Sequence, residues 1–150
     1  MTSRTKAAVL SVVLFVAVTA LATLATAQAP MPKPVLVLKQ LVPLNTGGKQ
    51  FTRYVYFVAN AGAYPNTLFA AAPKLPPCGL NANASRTWVD FFDKGGKRLN
   101  GFCALGNNQD LDGIWFALES NVIPPSYVHI EMTDRQTKTK VKSNDADTTP

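Results

Sequence analysis

Beyond residue 34 every apolar run in this chain is short, rich in β-branched and aromatic residues, and closed by proline, glycine or a polar cluster. None holds a helical spacing long enough to make an amphipathic helix, so packing must come from strands. Residues 35–38 (VLVL) read as a first strand that ends before Pro43, and Gly47-Gly48 makes a turn. Residues 51–59 (FTRYVYFVA) are apolar on both parities, the pattern of a strand central in a sheet. Residues 60–86 carry Pro65, Pro73, Pro76, Pro77 and Gly79, which limits regular structure there to a short strand or helical turn at Leu68-Phe69-Ala70.

A hairpin follows: 87–93 (TWVDFFD), a Lys94-Gly95-Gly96-Lys97 turn, and 98–105 (RLNGFCAL). Residues 114–118 (IWFAL), again apolar on both parities, predict a buried strand. After Pro124-Pro125 the chain alternates strictly, with Val128, Ile130 and Met132 inward and His129, Glu131 and Thr133 outward. A turn at Arg135-Gln136 leads to a strand over 138–142, and 143–150 reads as a frayed tail.

The first 27 residues set the compartment. Arg4 and Lys6 precede an apolar stretch over 7–25, and small residues close it at Ala25-Thr26-Ala27 and Ala27-Gln28-Ala29. This is the pattern of a secretory signal cleaved after Ala27. Cleavage after Ala29 would put Pro30 next to the scissile bond. A retained anchor is the competing reading, because the stretch approaches the roughly 18 to 20 residues that span a bilayer. On the cleavage reading, 28–34 form an N-terminal extension, 35–142 a single domain and 143–150 the tail.

Seven or eight short strands between turn signals predict an all-β chain, an antiparallel β-sandwich, with a small barrel or a jelly-roll fragment as alternatives. The runs FTRYVYFVAN and PPSYVHIEMTDRQTKTKVKSN resemble the early strand and final hairpin of an immunoglobulin-like or fibronectin type III-like module. That resemblance covers most of the chain after the signal. It implies two packed antiparallel sheets, with Tyr127 either a tyrosine corner or an outward residue.

With Arg4 and Lys6 set aside, 13 basic side chains face 9 acidic ones, a net +4. Such a bias is too mild and too dispersed for a nucleic-acid binder, and suits an anionic cell surface better. Cys78 and Cys103 are the two cysteines, and an even count in an exported chain predicts a disulfide. Closing that loop stabilises by roughly 3 to 4 kcal/mol. A redox or catalytic thiol competes with this reading, without a Cys-x-x-Cys motif to support it.

Three constellations are candidates for chemistry. Asn108, Asp110, Asp112 and, farther on, Glu119 nearly reproduce the oxygen spacing of a calcium loop, against the plainer reading of a polar turn. Trp88, Asp90 and Phe92 share one face of the hairpin, where two rings flanking a carboxylate suit a sugar, unless a second layer covers them. Lys138, Lys140 and Lys142 form a ladder on the last strand that either blocks edge pairing or meets an anionic polymer.

Catalysis has little to build on: His129 is the one histidine, beside Glu131, and no nucleophile motif, zinc cluster or cofactor motif is present. The expectation is a secreted or envelope-associated module that is not an enzyme, holds no cofactor and meets a protein or glycan at the cell surface. A carbohydrate-binding module built on Trp88 and Phe92 is the alternative.

Overall fold

The computed structural model describes residues 30–78, 85–104 and 106–150, so the expected signal over 1–27 lies outside the described residues. Eight strands form two antiparallel sheets: β1 (Leu36–Thr46), β2 (Lys49–Val58), β3 (Thr87–Asp93), β4 (Arg98–Ala104), β5 (Asp112–Glu119), β6 (Tyr127–Asp134), β7 (Lys140–Lys142) and β8 (Ala146–Asp147). One sheet has the order β1-β2-β5. The other runs β4-β3-β6-β7, with β8 also paired to β6. Helical structure among the described residues is limited to three short 3-10 turns. No helix there is long and apolar enough to cross a membrane.

The core lies between the sheets. Tyr54, Tyr56, Ile114 and Phe116 come from the three-stranded sheet, and Val89, Phe91, Val128, Ile130 and Met132 from the five-stranded one. Tyr54 stacks on Phe116 at 4.9 Å, while Phe91 touches Phe116 at 5.5 Å and Tyr56 at 5.6 Å. The buried Tyr56 hydroxyl donates to the Asp147 carbonyl at 3.1 Å, which satisfies the polar end of a ring with no exposure. The excursion after β2 folds back as a plug of Tyr64, Leu68 and Phe69, with a 3-10 turn at Asn66–Leu68 where a strand or helical turn was expected.

Several expectations change. The first strand does not stop before Pro43. It runs to Thr46, and the proline is tolerated because β1 is an edge strand, whose outer amides are not needed for the ladder. The run expected as a buried strand becomes β5, an edge strand whose Trp115 is 39% exposed. The tail is not frayed: Ser143, Ala146 and Thr148 are buried and β8 pairs with β6. Ser143 explains the gap between β7 and β8, since its hydroxyl accepts from the Ile130 amide at 2.9 Å where a ladder bond is interrupted. Tyr127 is 48% exposed and therefore points outward.

Candidate functional site

Strand β3 alternates as expected, burying Val89 and Phe91 and leaving Trp88, Asp90 and Phe92 half-buried on the outer face of the five-stranded sheet. Register extends this into a grid. Cys103, Trp88, Thr133 and Lys140 lie abreast, as do Gly101, Asp90, Glu131 and Lys142, while Phe92 lies between Arg98 and His129. A bulge between Phe91 and Phe92 lets Arg98 lean along the face. Its Nε donates to Asp90 Oδ1 at 2.5 Å, and its guanidinium carbon lies 5.7 Å from the centre of the Trp88 ring.

Gly101 makes this arrangement possible. A β-carbon there would collide with the Arg98 guanidinium and the Asp90 carboxylate, so any side chain at the crossing would displace this pair. Neither Arg98 nor Gly101 is recognisable as part of the site from sequence alone, because their relation to Asp90 depends on the bulged register.

His129 projects outward as expected but is 8% exposed, not solvated. Phe92 stacks on its ring at 5.6 Å, and Nδ1 lies 3.8 Å from Asp145 of the chain segment expected to fray. Burial lowers its pKa below the ordinary imidazole value, helped by nearby Lys142 and opposed by Asp145, Glu131 and Asp93. Lys142 also lies 3.7 Å from Asp145, and Lys140 3.9 Å from Glu131. These are exposed, long pairs that contribute little. The lysine ladder is corrected at one end: Lys140 and Lys142 sit on β7, whereas Lys138 occupies the preceding turn with φ of 65°.

The disulfide Cys78–Cys103 is formed, with α-carbons 6.1 Å apart. It joins the proline-rich loop to β4, an edge strand, and does not link the two sheets. Arg135 holds the same loop, donating to Cys78 Sγ at 2.8 Å, the Ser85 carbonyl at 2.9 Å and the Pro76 carbonyl at 2.6 Å. Beside it Arg86 makes a two-pronged pair with Asp134 at 2.7 and 2.9 Å. Burial would raise the Asp134 pKa, but bonds from Arg86, the Thr137 hydroxyl and the Gln136 amide outweigh it and hold the carboxyl at about 2.

The calcium-like residues do not converge. Asn108 and Asp110 lie on the 3-10 turn Asn108–Leu111, while Asp112 and Glu119 mark opposite ends of β5, about 23 Å apart at strand rise. Asp112 is paired with Lys39 at 2.7 Å and Glu119 with Lys49 at 2.6 Å. Among the described residues no cluster of three or more histidine, cysteine or acidic side chains could hold a metal.

What the five-stranded sheet therefore presents on its outer face is a half-buried tryptophan and phenylalanine, with interleaved charges of both signs around a largely covered imidazole. No protein-family model, curated protein or solved structure matches the chain.

Proposed function

We propose that this chain is an exported, non-catalytic binding module of the immunoglobulin-like or fibronectin type III-like kind, which meets a protein partner at the cell surface through the outer face of its five-stranded sheet. The winding supports the module reading: the hairpins β1–β2 and β3–β4 lie in different sheets, and the chain crosses back for β5 and again for β6. The disulfide fits an oxidising compartment.

The observation that carries the binding reading is the Trp88, Arg98 and Asp90 group beside Phe92 and His129. Tryptophan and arginine left half-exposed together are what the centre of a contact surface contains, and an inert solvated face has little use for them. His129 has Phe92 on its ring and Asp145 near Nδ1, with no nucleophile among these neighbours. That favours adhesion over chemistry.

A sugar-binding reading rests on Trp88 and Phe92 sharing the face. Stacking on a sugar needs bare rings, however, and here Arg98 lies over one ring while His129 stacks on the other. The test is cosedimentation with envelope fractions of the native host, set beside a glycan array. Cosedimentation that falls at least fivefold in a Trp88→Ala, Phe92→Ala double variant supports the protein-binding reading. An array signal abolished by Trp88→Ala supports the sugar reading, and cosedimentation indifferent to both substitutions removes this face from the account.

A further inference from the structure

The opposite side of the molecule carries a second surface of different chemistry. On the outer face of the three-stranded sheet, Phe51, Val55 and Phe57 of β2 lie beside Val37 and Val42 of β1 and Trp115 of β5. None of these six belongs to the core cluster. Val55, at the middle of the central strand, is nevertheless buried, while Val37 and Trp115 are 37% and 39% exposed. An antiparallel sheet with one solvated face alternates polar and apolar residues. Strands apolar on both parities are the mark of a sheet covered on both sides. This second side stays open at Val37 and Trp115, and Phe51 and Phe57 are only half-buried.

Arg53 sits in the middle of the patch. Its guanidinium carbon lies 4.3 Å above the Trp115 ring, and its Nε is buried without a hydrogen-bond partner, the one such side-chain atom among the described residues. The rim is settled differently, since Lys39 and Lys49 each have a carboxylate, in Asp112 and Glu119. Arg53 has no carboxylate partner among the described residues. A half-buried cation whose Nε is packed away from water, and which lacks an acid, is complementary to a partner that supplies one.

Charge also selects the occupant. Two copies of this chain apposed about a two-fold axis through the patch would bring Arg53 against Arg53, a like-charge contact in a dry interface. The apolar N-terminal stretch is a poor cover as well, because residues 1–29 contain no aspartate or glutamate, and neither do 79–84. We propose that this face docks a partner protein through an apolar surface carrying a carboxylate that meets Arg53. Tryptophan and arginine at the centre, ringed by aliphatic and phenyl groups, give it the make-up of an interface core.

The experiment places the photo-cross-linker p-benzoylphenylalanine at Phe57 of the full chain, expressed in its native host, with a control chain carrying it at the exposed Tyr127. The expected result is one discrete protein adduct from position 57. Its yield falls at least fivefold with Arg53→Glu and returns to within twofold of the parent with Arg53→Lys, while light scattering shows the purified chain to be monomeric. Thermal melts of the two variants within a few degrees of the parent separate lost docking from lost folding. Should Arg53→Glu not fold, the neutral Arg53→Gln is read in its place, with the same fivefold criterion. Absence of an adduct, an adduct twice the mass of the chain, a lipid adduct, or a yield indifferent to the charge at position 53 each overturns the proposal.

Discussion

Asp134 is 2% exposed and accepts from both Arg86 nitrogens, the Thr137 hydroxyl and the Gln136 and Thr137 amides, so one carboxylate organises both the β6–β7 turn and the start of β3. Its pKa is held at about 2, against 3.8 for an ordinary aspartate, so the folded state favours the charged form. That stabilisation is fully present above the unfolded value of 3.8 and is lost as pH falls from there toward 2. Urea titrations at pH 5 and pH 2 should differ by about 2 kcal/mol from this group, a difference that Asp134→Asn removes. Asp134→Ala, which leaves the half-buried Arg86 guanidinium without its partner, should cost about 3 kcal/mol at neutral pH in the same assay. Across the sheet, Gly101→Ala must push Arg98 off Asp90. Because the displaced groups are ends of flexible side chains, stability should change by less than about 1 kcal/mol, with a change in Trp88 fluorescence as the cation leaves the ring. An unchanged spectrum would argue against the Arg98–Trp88 contact.

At the scale of elements, the cysteine bridge and Arg135 together hold the loop after β2 against an edge strand that has only β3 as a neighbour in its sheet. Replacing both cysteines by alanine should lower stability by about 3.5 kcal/mol, and hydrogen exchange should show β4 losing protection before β3 and β6. Deleting residues 146–150 removes β8, the buried Thr148 and the acceptor of the Tyr56 hydroxyl, so a lowered Tm is expected where a frayed tail would leave it unchanged. From sequence the segment reads as a solvated tail, because Asn144, Asp145, Asp147 and the two threonines are small and polar. Several of them in fact make bonds to distant parts of the chain: Asn144 accepts from the Leu36 amide and donates to the Leu36 carbonyl, tying the start of β1 to the segment between β7 and β8. The β3–β4 hairpin was legible because Gly95-Gly96 sits between two runs of strand residues. The reach of β1 past Pro43 was not, since edge position is a property of the sheet and invisible in the strand itself.

For the whole molecule, the alternation in β3 and β6 identified which side chains face outward, and the structure keeps that assignment for Trp88, Asp90, Phe92 and Glu131. What alternation could not supply is company. Arg98 reaches Asp90 only through a bulge, Asp145 arrives beside His129 only because the tail is packed, and Trp115 is exposed because it lies on the outer face of its sheet, opposite the buried Ile114 and Phe116. For the same reason the two-sided apolar pattern of β2 and β5 reads as ordinary burial, although only one side of their sheet packs into the core. The molecule thus has two outer faces of contrasting chemistry, one aromatic and mixed in charge, the other apolar around a single arginine. Hydroxyl-radical footprinting of the chain with and without envelope fractions of its host reads both faces at once through Trp88, Phe92, His129 and Trp115. Protection of Trp88 and Phe92 of at least threefold is expected on addition of the fraction, with the buried Phe91 and Phe116 unchanged. Equal reactivity of Trp88 and Phe92 in both conditions would contradict it.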